Sequence, residues 1–129
     1  MTRFLLDTNV AIGLRDDVME VQDRVLSLQG EVALSVLTRV ELEGGSHRDP
    51  ADADRKRARL DTLLQSLPVF PFDDDAADAY RAIVQSAGFS RRKIIDRMIA
   101  AQAMSRDLTL VTLNGADFRD IPGLDMVEW

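Results

Sequence analysis

Leu108-Thr109-Leu110-Val111-Thr112-Leu113-Asn114-Gly115 is a run of leucine and β-branched residues that stops at an Asn-Gly turn signal. It predicts a strand over 108–112. Just upstream, Ile95, Met98, Ile99 and Gln102 recur at helical spacing, and Ala100, Ala101 and Ala103 let that helix approach a sheet closely. Downstream, Ile121-Pro122-Gly123 turns the chain into a last short strand, Asp125 to Trp129.

The same alternation runs back to the start of the chain. Strands are predicted at Arg3 to Leu6, Val32 to Ser35 and Val69 to Phe72. Between them, Val18, Val21, Val25 and Leu28 mark one helix and a short helix is expected from about Thr38 to Leu42, ending at Gly44-Gly45. Leu60, Leu63, Leu64 and Leu67 mark another that Pro68 stops, and Ala76, Ala79, Tyr80, Ile83 and Val84 a further one closed by Gly88. Strands alternating with helices imply a mostly parallel sheet covered on both faces, a three-layer α/β fold. With 129 residues and no repeat or linker, a single domain spanning 1–129 is expected.

Composition narrows the function. Cysteine is absent, which excludes disulfides, thiolate metal sites and cysteine nucleophiles. The apolar fraction is 46% without any stretch of about 18 uninterrupted apolar residues, and no apolar leader precedes Asp7. A soluble, cytoplasmic protein with no membrane partner is expected. The net charge of -6 has the wrong sign for holding nucleic acid by overall attraction. A polyanion would have to be met locally, by Arg91-Arg92-Lys93 before Asp96 or by Arg55-Lys56-Arg57 with Arg59, unless these runs are simply solvated helix faces.

Four acids border apolar segments rather than lying in charge runs: Asp7, Glu41, Asp96 and Asp117. In open α/β sheets ligands bind beyond the carboxyl ends of the strands. Asp7 stands at such an end, Glu41 follows the second strand, and Asn114 and Asp117 follow the strand over 108–112. A helix leading into a parallel strand begins at that same edge, which brings Asp96 there too. Two like charges about 4 Å apart repel by roughly 4 kcal/mol at an effective dielectric near 20. A gathered set therefore needs a shared proton or a cation. Oxygen-only ligands suit Mg²⁺ or Mn²⁺, and such an ion can activate water against a phosphodiester. His47, the only histidine, sits in a loop beside Pro50 and offers no acid–base pair.

Each acid also has an ordinary structural reading. Asp7-Thr8-Asn9 could be a strand end with helix-capping residues, Thr38 with Glu41 a capping box, and Asp96 a favourable charge at a helix start. Asn114-Gly115 with Asp117 could be turn chemistry. Asp73-Asp74-Asp75 reads as a cap only. Their shared location at one sheet edge favours a common site.

The combination of Leu5-Leu6-Asp7-Thr8-Asn9, Thr38 with Glu41-Leu42, Asp96 with Ile99-Ala100-Ala101 and Ala103, and Leu110-Val111-Thr112 through Asn114, Asp117-Phe118, Pro122-Gly123-Leu124 and Trp129 resembles the PIN-domain ribonucleases, specifically the VapC-type toxins of bacterial toxin–antitoxin pairs. The resemblance runs nearly end to end. It implies a Mg²⁺- or Mn²⁺-dependent endoribonuclease with Asp7 and Asp96 as principal metal ligands, joined by Asp117, and Glu41 completing the acidic catalytic set. Thr8, Asn9, Thr112 and Asn114 would be polar supports. It further implies a homodimer, a cognate antitoxin whose C-terminal segment occupies the cleft, and a structured RNA substrate, with transfer RNA a candidate. Arg91, Arg92 and Lys93 have no place in the family pattern and stand as candidate RNA-phosphate contacts. Two other readings compete: a receiver-like Mg²⁺-binding phosphoacceptor using Asp73, and a catalytically silent PIN-fold binding subunit.

Overall fold

The computed structural model describes residues 2–129. Five strands, β1 (Arg3–Leu6), β2 (Glu31–Ser35), β3 (Val69–Phe70), β4 (Thr109–Thr112) and β5 (Met126–Glu128), form one sheet in the order β3-β2-β1-β4-β5. Every neighbouring pair is parallel, with Leu5 opposite Ala33 on one side and Leu110 on the other. Six helices cover it: α1 (Thr8–Arg15), α2 (Met19–Leu26), α3 (Val36–Gly45), α4 (Ala53–Ser66), α5 (Asp74–Ala87) and α6 (Ile94–Ser105).

Successive strand residues point to opposite faces, and the packing follows that rule. Phe4, Leu6, Leu34 and Val111 pack with Val10, Ala11, Val21, Leu60 and Leu63 from α1, α2 and α4. Leu5, Ala33 and Leu110 pack with Ile83 of α5 and Ile99, Ala100, Ala101 and Ala103 of α6. Burying both faces explains why consecutive positions such as Phe4-Leu5-Leu6, Val32-Ala33-Leu34 and Leu110-Val111 are apolar in the central strands, and each fully buried leucine contributes roughly 1.5–3 kcal/mol. The fold is the expected three-layer α/β arrangement. No helix among the described residues is long and apolar enough to cross a membrane.

Several boundaries differ from the sequence reading. Helix α1 carries no clean apolar stripe because it is wedged on several sides, with Val10, Ala11, Gly13 and Arg15 all buried. Gly13 is required there: a Cβ would stand 2.9 Å from a Val21 methyl group. Helix α3 begins two residues before Thr38, since the Ser35 hydroxyl caps it by accepting from the Leu37 amide at 3.0 Å. Strand β3 stops at Phe70 rather than Phe72. There Gln102, wholly buried in α6, donates to the Phe70 and Pro71 carbonyls at 3.2 and 2.9 Å.

The order of connections reverses between β1 and β4, adjacent strands far apart in sequence. At such a switch point the segments leaving the two strands diverge and a crevice opens at their carboxyl ends. After β1 the chain enters α1; after β4 it enters a short 3₁₀ turn, Gly115–Phe118.

Candidate active site

Asp7 follows β1 directly and is locked between the two central strands. Its amide donates to the Val111 carbonyl at 2.8 Å. Its carboxylate accepts from the Thr8 amide at 2.8 Å, capping α1, and from the Thr112 hydroxyl at 2.9 Å. Asp7 is only 4% exposed. Burial pushes its carboxyl above the usual range, the bonds from Thr112 and Thr8 oppose that, and the charges of Glu41 and Asp117 push it further up.

Thr112 also accepts from the Asn114 amide at 2.9 Å, and the Asn114 side chain donates to the Asp117 carboxylate. A continuous relay thus runs from Asp7 through Thr112 and Asn114 to Asp117. It sets the acid after β1 against the acid in the turn after β4. Thr112 is wholly buried and stands behind the acids rather than on the cleft surface.

Glu41 comes from α3. The capping box that Thr38 and Glu41 could have made does not form, because Ser35 holds that position. Instead Thr8 donates to Glu41 Oε1 at 2.7 Å, and its hydroxyl lies 3.0 Å from that of Thr38. A threonine hydroxyl carries one hydrogen; with that hydrogen spent on Glu41, Thr38 is the donor to Thr8. Thr38 is fully buried, and its part in aligning Thr8 was masked in the sequence by its likeness to a cap.

Asp96 lies in the first turn of α6 and its carboxyl is raised to about 6, first by burial, then by the charges of Asp7, Asp117 and Glu41, with Lys93 opposing. The helix start is held by Arg97, 2% exposed, which donates to the Gly88 carbonyl and to Asp120 at 2.9 Å. Lys93 reaches the same Asp120 oxygen at 3.4 Å. Slight burial works against the Asp120 carboxylate, but the hydrogen bond from Arg97 and the charges of Lys93 and Arg97 hold it below its ordinary range. This ion pair ties α6, beside Asp96, to the turn just after Asp117.

One cavity of about 440 Å³ brings the acids together: Asp7, Glu41, Asp96 and Asp117 line it with Thr8 and Asn9. The rest of its lining, a cationic wall, is Arg15, Arg48 and Lys56 with Ile12, Leu42 and Gly45. Asn114 adjoins the site through Asp117. Arg91 and Arg92 are exposed beyond the cavity, and Lys93 is engaged with Asp120. His47 lies outside it as well, against Arg57. Asp73 caps α5 by accepting from the Ala76 amide at 3.0 Å and pairs with Arg106, with no contact to the acids of the cavity. The phosphoacceptor reading therefore loses its aspartate.

The donor set fits a hard divalent cation: only oxygen ligands line the acidic wall, and their charges raise one another's affinity for a positive partner. Among the described residues no three acids already stand in a closed ligand arrangement. Glu41 is turned to Thr8 and Asp117 to Asn114.

A parallel α/β sheet with four carboxylates gathered at its switch point defines the class, an acidic-cleft domain of nuclease type. Residues 4–124 match the PIN domain family, and the chain belongs to it. It is 30% identical over its whole length to the tRNA(fMet)-specific endonuclease VapC of Shigella flexneri, covering 99% of that protein. It superposes on the DNA-bound VapBC structure from Salmonella typhimurium with a TM-score of 0.85 at 28% identity, covering 100% of this chain and 99% of that one. VapBC2 from Rickettsia felis, bound to a promoter DNA fragment, shares the fold with a TM-score of 0.87 at 22% identity, over 99% of both chains.

Proposed function

We propose that this protein is a metal-dependent endoribonuclease, the toxin of a toxin–antitoxin pair, acting as one PIN-like unit in the cytoplasm. The observation that carries the reading is the convergence of Asp7, Glu41, Asp96 and Asp117 from four separate elements on one cavity. The full-length similarity to VapC endonucleases supports the substrate class, RNA, with transfer RNA the first to test. The VapBC complexes among its structural relatives support a cognate antitoxin as partner; a homodimer of this chain within a toxin–antitoxin hetero-oligomer is part of the proposal.

Asp7, Asp96 and Asp117 would hold Mg²⁺ or Mn²⁺. When bound, such an ion lowers the pKa of water and neutralises charge developing at phosphorus. Asp7, fixed by Thr112 and the Thr8 amide, supplies the rigid oxygen against which the others are set. Asn114 orients Asp117, and Thr8 orients Glu41 through Oε1, leaving Oε2 to take a proton from an attacking water. Asn9, exposed on the cavity lining, offers its amide to substrate. Hydrolysis would leave a 5′-phosphate.

The test is cleavage of total and transfer RNA by the purified protein with Mg²⁺, with Mn²⁺ and with EDTA. Activity should vanish with EDTA and in Asp7→Asn and Asp96→Asn. Undiminished cleavage by either variant refutes the metal-ligand role of the residue it replaces, and a folded wild type that cuts no RNA leaves the silent binding subunit as the reading.

A further inference from the structure

The cleft is electrically divided, and its cationic wall has no role in metal binding. Arg15 closes α1, Arg48 follows α3 and Lys56 belongs to α4, yet all three line the cavity that holds the four acids. Arg48 is exposed and Lys56 half-buried, and neither forms an ion pair among the described residues. Arg15 is 7% exposed and bonds Asp16 through Nε at 3.0 Å and Nη2 at 3.3 Å. Its Nη1 lies 3.9 Å from where a Cβ on Gly45 would stand. The guanidinium edge therefore borders Gly45, which lines the same cavity.

In a protein of net charge -6, Arg15, Arg48 and Lys56 are the groups of this lining whose charge attracts a phosphodiester. The acids alone would repel the backbone of an incoming RNA. Within the same lining, a guanidinium and an ammonium can take a neighbouring phosphate by charge-assisted hydrogen bonds. We propose that Arg15, Arg48 and Lys56 form a subsite for an RNA backbone phosphate adjacent to the one being cleaved. This rests on the ribonuclease reading above. It moves the phosphate contact away from Arg91, Arg92 and Lys93, whose segment lies off the cavity. Arg15 is the buried anchor, and Arg48 and Lys56 supply the adaptable contacts.

The test uses Arg48→Ala, Lys56→Ala and the double variant, whose side chains are not in the core, with thermal melts to establish that each folds as wild type does. Steady-state cleavage of a single-stranded oligoribonucleotide should show KM rising about 3–10-fold per substitution while kcat stays within about twofold, as expected for lost uniform binding. Binding of the same oligonucleotide, followed by fluorescence anisotropy in Asp96→Asn, gives an independent measure. There the slope of log affinity against log salt should become shallower by about 0.7 for each cation removed. Unchanged KM and slope in the double variant overturn the subsite even when wild type cuts RNA normally. Absence of cleavage with the slope change intact overturns the catalytic reading, and with it the placing of this phosphate beside a scissile one, while the contact of the three cations with an RNA phosphate stands. Loss of antitoxin affinity with RNA affinity unchanged assigns these cations to the protein partner and overturns the proposal, as does a wild type that neither cuts nor binds the oligonucleotide.

Discussion

The two walls of the cleft are built in opposite ways. Asp7 is 4% exposed and held by bonds to Thr112 and the Thr8 amide, and Asp96 is anchored through its neighbour Arg97. Arg48 and Lys56 project from the end of α3 and the start of α4 with no charged partner among the described residues. The acids are gathered at a cost: burial and mutual repulsion raise the carboxyls of Asp7 and Asp96. On the proposed reading, groups that stay in place against their own repulsion would serve the chemical step, whereas the more accessible cations would tune how tightly a substrate is held.

Substitutions on the acidic wall should give the largest effects. Asp7→Asn or Asp96→Asn should lower kcat on RNA by on the order of 10³-fold, because several kcal/mol of transition-state stabilisation disappear at about 1.4 kcal/mol per tenfold. If their losses proved no larger than those of Arg48→Ala, the distinction between the walls would fail.

Next comes stability against pH in the metal-free protein. The folded-state carboxyl of Asp96, at about 6 against an ordinary 3.8, binds its proton more tightly than in the unfolded chain. Its contribution therefore favours folding below the unfolded value, and that advantage is lost as pH rises from about 4 to 6. In EDTA, Asp96→Asn should melt above wild type at pH 7.5, by up to roughly 3 kcal/mol before solvent screening is allowed for. The gap should close toward pH 4. Added Mg²⁺ should raise the wild-type melting point and not that of Asp96→Asn. A constant gap across this pH range would show that repulsion in the acidic wall is already relieved.

Thr112→Val should destabilise by about 1–3 kcal/mol, since it leaves a buried Asp7 oxygen unpaired, and should push the Asp7 carboxyl further up. Chemical denaturation measures the first effect. Asp120→Asn should act more mildly, by loosening α6 against the turn that carries Asp117. About 3–10-fold more Mg²⁺ should then be needed to produce the same melting shift, with a half-exposed ion pair setting the scale of the loss. Smallest of all, Arg91→Ala with Arg92→Ala should leave KM within about twofold. A larger change would return the phosphate contact to that segment.

Much of the fold was written locally. The apolar run Phe4-Leu5-Leu6 and the leucine and β-branched run Leu108 to Thr112 announce strands buried on two faces, and the acids that follow them point to a site because a parallel sheet gathers those ends. The Asp73 cap was equally legible, being a contact between residues three apart. Thr38 with Glu41 shows the limit. A pair compatible with a capping box was drawn instead into a side-chain network with Thr8, thirty residues upstream for Thr38 and thirty-three for Glu41.

What the sequence determined by itself was the layer order, the strands and the four acids, because period, turn chemistry and residue type act over a few neighbouring positions. Only the tertiary structure decided which charges face one another. Arg55-Lys56-Arg57 and Arg91-Arg92-Lys93 look alike in sequence, yet Lys56 lines the cleft while Lys93 meets Asp120. A cation's partner is set by what the fold brings within a few ångströms of it, and no local pattern carries that distance.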